Sequence, residues 1–73
     1  MKFEKYRATP MTISARELEI LYLLSEGLSS REIADQLCIS YDTVRTHRNN
    51  ILKKTKFKTL TQAVSHCVRD GIF

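Results

Sequence analysis

Two helix-start signatures in close succession constrain this chain most: Ser14 followed by Glu17, and Ser29 followed by Glu32. In each, the serine hydroxyl can accept the N–H of the third helical residue while the glutamate carboxylate returns to the serine's own N–H, so two orphan donors are satisfied together. The first box opens a helix expected over about Ala15 to Glu26, with Ile20, Leu21, Leu24 and Leu28 at helical spacing and Gly27 as a left-handed stop. The second opens a shorter helix whose inward residues are Ile33, Ala34 and Leu37. Cys38 and Ile39 then form a turn, and Ser40 caps a third helix from Tyr41 to about Lys54, with Asp42 in the first turn where negative charge suits the dipole. Val44 and Ile51 face inward there, with Leu52 beside them and His47 one turn after Val44. Thr59 caps a fourth helix carrying the stripe Leu60, Ala63, Val64, Cys67 and Val68, stopped by Gly71. No stretch alternates at period two for long enough to make a sheet. The expected fold is all-α, a compact four-helix domain over residues 13–73. Residues 1–12 lack a clean period and end in Ala8-Thr9-Pro10-Met11-Thr12, where Pro10 discourages helix before it, so they read as a tail or linker whose Phe3 and Tyr6 can lie on the domain surface.

Size and cysteine usage narrow the function classes. A chain of 73 residues makes one domain and buries only about 60% of its unfolded surface, which leaves little room for an enclosed site of several hundred Å³. Neither an enzyme nor a small-molecule substrate is expected. Cys38 and Cys67 lack paired spacing, and a zinc site would have to recruit His47 and His66 without any C-x-x-C or H-x-x-x-H pattern. They are therefore expected to be reduced thiols, buried or half-buried, with no metal and no cofactor. The N-terminus has no long apolar run, so neither a signal peptide nor a membrane span is expected, and the protein reads as soluble and cytoplasmic.

Charge points to a partner. Twelve Lys and Arg stand against eight Asp and Glu, for a net charge of +4. Between Tyr41 and Lys58 lie Arg45, Arg48, Lys53, Lys54, Lys56 and Lys58, opposed only by Asp42, so this segment alone holds +5 and the rest of the chain −1. Excess charge gathered in one segment is the footprint of a polyanion binder. The same segment belongs to a short helix, a turn and a longer helix, Ser30 to Asn49, with apolar residues at Ile33, Leu37, Ile39 and Val44 and the small Ala34 where two helices would cross. That is helix-turn-helix spacing, although apolar spacing alone fits a plain helical hairpin nearly as well, and Cys38 stands where a turn glycine is usual.

The exposed face decides between them. With Val44 and Ile51 inward, positions 42, 45, 46 and 49 point outward together. Arg45 can donate two hydrogen bonds to guanine O6 and N7, Asn49 can pair with adenine N6 and N7, and the Thr46 methyl can touch a thymine methyl. Phosphate contacts are expected from Ser30, Arg31, Tyr41, Thr43, Arg48 and Lys53 or Lys54, which set affinity and register rather than sequence. Lys56 and Lys58 read as solvent-exposed. His47 lacks the nucleophile or second acid that a general base needs, so packing or a backbone contact suits it better, and His66 is expected at solvent or a subunit contact.

The chain resembles the LuxR-type, or NarL/FixJ-type, helix-turn-helix domain of bacterial transcription regulators over about Ile13 to Phe73. The resemblance rests on Ser14-Ala15-Arg16-Glu17, Ile20-Leu21, Glu26-Gly27-Leu28-Ser29, Glu32-Ile33-Ala34, Leu37, Ile39-Ser40, Thr43-Val44-Arg45, His47, Asn50-Ile51 and Ala63-Val64. Leu18 departs from the charged residue common in that family, and Thr55-Lys56 from the Leu-Gly that commonly ends the third helix. The resemblance implies that the third helix reads double-stranded promoter DNA, at the same three positions 45, 46 and 49, and that the fourth mediates dimerisation. A single short helix touches few base pairs, so a homodimer is expected in any case, through Leu60, Val64, Cys67 and Val68, with half-sites about 10 bp apart. RNA polymerase is a further expected partner. Regulators of this type commonly join the domain to a phosphorylatable receiver, as response regulators, or to a ligand-binding domain. Two other readings stay open: a sigma factor's promoter-reading domain, and an adaptor that keeps the fold but holds a protein partner on its fourth helix.

Overall fold

In the computed structural model, which describes residues 13–72, α1 (Ala15–Ser25), α2 (Ser30–Leu37), α3 (Tyr41–Thr55) and α4 (Leu60–Arg69) follow one another with short connections. The tail assigned to residues 1–12 and the terminal Phe73 lie outside the described residues. Among the described residues there is no strand.

Each helix starts where a side chain can satisfy its free N–H groups. Ser14 Oγ accepts from Glu17 N at 3.1 Å while Glu17 Oε1 accepts from Ser14 N at 3.0 Å. Ser29 and Glu32 repeat the reciprocal pair, and Ser40 and Thr59 cap α3 and α4 through Thr43 N and Gln62 N. At Glu32 the Ser29 N–H and hydroxyl hold the carboxyl below the ordinary glutamate range, the sign expected of an anion at a helix start.

The ends are equally local. Three turns close by the same six-residue bond, from Leu28 N to Leu23 O, Ile39 N to Ala34 O and Ile72 N to Cys67 O. Each passes through a left-handed residue, respectively Gly27, Cys38 and Gly71, and each delivers the following apolar side chain back to the core. Helix α3 is stopped by Lys56, also left-handed with φ 61°, whose N–H bonds Leu52 O at 2.8 Å. Both positions where the sequence lacks an expected glycine, Cys38 and Lys56, thus keep the glycine conformation. A Cβ in this region is disfavoured by roughly 1–2 kcal/mol, against about 0.5–1 kcal/mol for glycine's greater unfolded freedom. Cys38→Gly is accordingly expected to raise stability by about 0.5–1 kcal/mol, read as a higher urea midpoint at unchanged slope; a lower midpoint would contradict the strain.

Two apolar clusters meet at α1. Leu18 and Leu21 pack with Ile51, Ala63, Cys67 and Ile72, and Ile20 and Leu23 pack with Ile33, Ala34 and Val44. The first joins α1 to α4, the second joins it to the helix-turn-helix, and α3 contributes Val44 to one and Ile51 to the other. Leu37 and Leu52, expected inward, are half-buried at the edges. Cys67 is 1% exposed, a buried thiol as expected but within the core rather than on the surface offered to a second copy, because its side of α4 faces Leu21 and Ile51. Burial, and then the negative charge of Asp70, pushes its thiol above the ordinary range, so it stays protonated at neutral pH. Cys38 is not buried or half-buried but exposed, since the left-handed turn aims its side chain away from both helices.

Candidate nucleic-acid interface

The orientation of α3 follows from the two residues it buries. Val44 and Ile51 are both 0% exposed and stand about two turns apart, so they fix the rotation of the helix about its axis. The opposite side carries Asp42 and Arg45, with 88% and 59% of their side chains exposed, together with the exposed Thr46 and Asn49. Thr46 Oγ1 donates to the Asp42 carbonyl at 3.0 Å, which commits the hydroxyl to the helix and leaves the methyl as its group for a contact.

At the start of α3, Tyr41 gathers two guanidinium groups. Arg31, from α2, lies 4.9 Å from its ring centroid and Arg45 lies 6.0 Å from it. Such exposed cation–π contacts are worth about 0.5–1 kcal/mol each, enough to bias the rotamers of long side chains. Arg45 Nη1 is also 3.7 Å from Asp42 Oδ1. Arg31, Tyr41 and Arg45 therefore form one positive surface across the α2–α3 turn. In the sequence these residues stand apart; their stacking depends on the crossing of two helices.

The other residues assigned to phosphate divide into two groups. Lys53 is exposed on the last turns of α3, and Thr43, although exposed, has its hydroxyl 2.8 Å from Ser40 Oγ within the cap. Ser30 and Arg48 touch each other: Arg48 Nη1 donates to Ser30 Oγ at 2.7 Å and ties α3 to the start of α2. Arg48 also lines a groove with Leu24, Leu60 and Val64, and its Nε is enclosed with no hydrogen-bond partner among the described residues. Lys54 turns back to α1, where its Nζ meets Glu17 Oε1 at 2.7 Å. That pairing is not visible in the sequence, since the two residues are 37 positions apart and only the Ser14 half of Glu17's environment is local.

Glu17 is the buried charged residue among those described, at 3% exposure. Burial alone opposes its ionisation most strongly, yet the hydrogen bond from Lys54, the Ser14 N–H and hydroxyl and the Lys54 charge together hold its carboxyl below the ordinary glutamate range. A carboxyl whose pKa is lower folded than unfolded contributes stability above the unfolded value and loses it as pH falls through the folded one. Urea unfolding is therefore expected to show a midpoint that declines with acid below the ordinary glutamate range, and Glu17→Gln is expected to be less stable at neutral pH with a flatter decline. Parallel declines in the two proteins would remove Glu17 from the acid response.

The two histidines sit in different surroundings. His47 is half-buried, with its Nδ1 enclosed and without a hydrogen-bond partner among the described residues. His66, expected at solvent or a subunit contact, is half-buried on α4, its ring 5.5 Å from that of Phe57 and its Nε2 2.9 Å from Asp70 Oδ2. Among the described residues no group of three or more His, Cys, Asp or Glu could hold a metal ion, and no helix is long and apolar enough to cross a membrane. On α4, Val68 is 55% exposed, while Val64 one turn before it and Leu60 two turns before it are half-buried.

Comparison with known proteins gives this surface its context. The profile described as bacterial regulatory proteins, luxR family, matches residues 11–67. The transcriptional regulatory protein YxjL of Bacillus subtilis strain 168 is 43% identical over 65 residues, covering 89% of this chain and 29% of that protein. DegU, a transcriptional regulatory protein of Brevibacillus brevis, is 39% identical over 67 residues, covering 92% of this chain and 28% of its own length. The response regulator protein VraR of Staphylococcus aureus strain NCTC 8325 is 40% identical over 60 residues, with 82% of this chain and 29% of VraR covered. The chain thus spans less than a third of the length of these relatives.

Proposed function

The chain belongs to the luxR family of bacterial regulatory proteins, a family of DNA-binding transcription regulators, and on that premise we propose that it reads promoter DNA by laying α3 in the major groove. The observation that carries this reading is the division of α3 into a side locked in the core by Val44 and Ile51 and a side presenting Arg45, Thr46 and Asn49 to solvent. Arg45 donates to guanine, Asn49 pairs with adenine, and the Thr46 methyl packs on thymine. Around them, Arg31, Tyr41, Thr43 and Lys53 take phosphates. Ser30 and Arg48 reach the backbone as a linked pair, and Lys54 joins them only by leaving Glu17.

Two copies act on one operator. Val68, with Leu60 and Val64 beside it, supplies an apolar surface on α4 for a second copy, while Cys67 supports that helix from inside. The protein works in the cytoplasm without a cofactor or catalytic step, and its bound dimer stands where RNA polymerase can meet it.

Selection of bound sites from random duplex DNA tests the reading. It is expected to enrich two half-sites related by two-fold symmetry and centred about 10 bp apart; retention without any enriched sequence would contradict it. On the enriched site, Lys53→Ala is expected to weaken binding by a similar factor on every sequence and to reduce the slope of log affinity against log salt by about one. An unchanged slope would take Lys53 off the phosphate surface.

A further inference from the structure

The outward side of α3 carries one acid that the fold does not use. Asp42 is the sole acidic residue between Tyr41 and Lys58, among six lysines and arginines, and its side chain is 88% exposed. The cap of α3 belongs to Ser40, whose hydroxyl accepts the Thr43 N–H at 3.0 Å, so the Asp42 carboxylate closes no helix-start donor. Its ion pair with Arg45 is loose at 3.7 Å and solvent-exposed, the kind that contributes little. The favourable dipole interaction at so exposed a position is small and screened by salt.

A carboxylate on a DNA-facing surface repels phosphates, so this one opposes binding unless it meets donors. In the major groove the donors are the amino groups of cytosine and adenine. A carboxylate only accepts, and beside the adenine amino group stands the N7 acceptor, which would repel it, whereas cytosine offers its N4 amino group alone. Asp42 lies in the first turn of α3, the end of a recognition helix that approaches base edges, and one turn before Arg45. We propose that Asp42 is a specificity-determining residue that accepts a hydrogen bond from cytosine N4 at the base pair neighbouring the one read by Arg45. The assignment rests on the DNA-reading role of α3 above.

The test compares wild type, Asp42→Ala, Asp42→Asn and Arg45→Ala on the selected site and on an unrelated duplex at one salt concentration, with thermal melts confirming that each variant is folded. Asp42→Ala is expected to bind the unrelated duplex more tightly, because one negative charge is gone, while its preference for the selected site falls about fivefold or more. Renewed site selection should lose cytosine beside the Arg45 guanine with Asp42→Ala and shift that position toward adenine with Asp42→Asn. A preference ratio that both Asp42 variants leave unchanged, while Arg45→Ala lowers it, would overturn the Asp42 assignment alone. A ratio untouched by Arg45→Ala as well would overturn the reading on which it rests.

Discussion

Ile33→Ala is expected to remove about 2–5 kcal/mol of stability, the range for truncating a large aliphatic side chain in a closed core. Ile33 is 0% exposed and sits between Ile20 of α1 and Val44 of α3, so its loss opens a cavity where the helix-turn-helix is held against α1. A chain of this length has roughly 4–10 kcal/mol in total, so the substitution takes a large share of it and is expected to leave a detectable unfolded fraction in warm solution. Val68→Ala, at a position 55% exposed, serves as the control and is expected to stay within about 0.5 kcal/mol in a monomer. Urea titrations followed by helical circular dichroism separate the two, and equal midpoints would mean that the cluster around Ile33 is not the one holding α2 in place.

The second large effect belongs to binding. Arg45→Ala is expected to weaken binding to the selected operator by about 1–3 kcal/mol while changing affinity for unrelated duplex far less. The reason is geometric: 59% of the Arg45 side chain is exposed, and its environment consists of the Asp42 carboxylate and the Tyr41 ring, neither of which encloses it. Its removal should therefore cost the fold little. Fluorescence anisotropy on both duplexes reads the difference, and a loss of equal size on every sequence would make Arg45 a phosphate contact instead of a base reader.

What could be read in the sequence was what is local. The starts of all four helices rest on a hydroxyl and an N–H three residues apart, and the serines and the threonine that make them are visible without any tertiary knowledge. The outward grouping of residues 45, 46 and 49 was equally legible, because helical period alone turns them away from Val44 and Ile51. Contacts between helices were not. The sequence offers Lys54 and Arg48 alike as phosphate contacts and shows neither the Glu17 partner of the first, 37 positions away on α1, nor the Ser30 partner of the second, 18 positions away at the start of α2. Cys67 is buried, as its residue type suggests, but its place in the expected dimer contact was not decidable, because a helix with apolar residues on adjoining faces does not declare which face meets α1. The end of α3 fell one residue beyond the expected Lys54, since Lys56 adopts the left-handed stop that the sequence assigns most readily to glycine.

In the proposed complex the Arg45 side of α3 meets base edges. The most direct test replaces the guanine assigned to Arg45 in the selected half-site with 7-deazaguanine, which removes a single acceptor atom from the major groove, and measures affinity for wild type and Arg45→Ala. The altered base is expected to weaken wild-type binding severalfold and to leave Arg45→Ala unaffected, because the two changes remove the same interaction. Full and equal losses in both proteins would place Arg45 away from that base and contradict the claim.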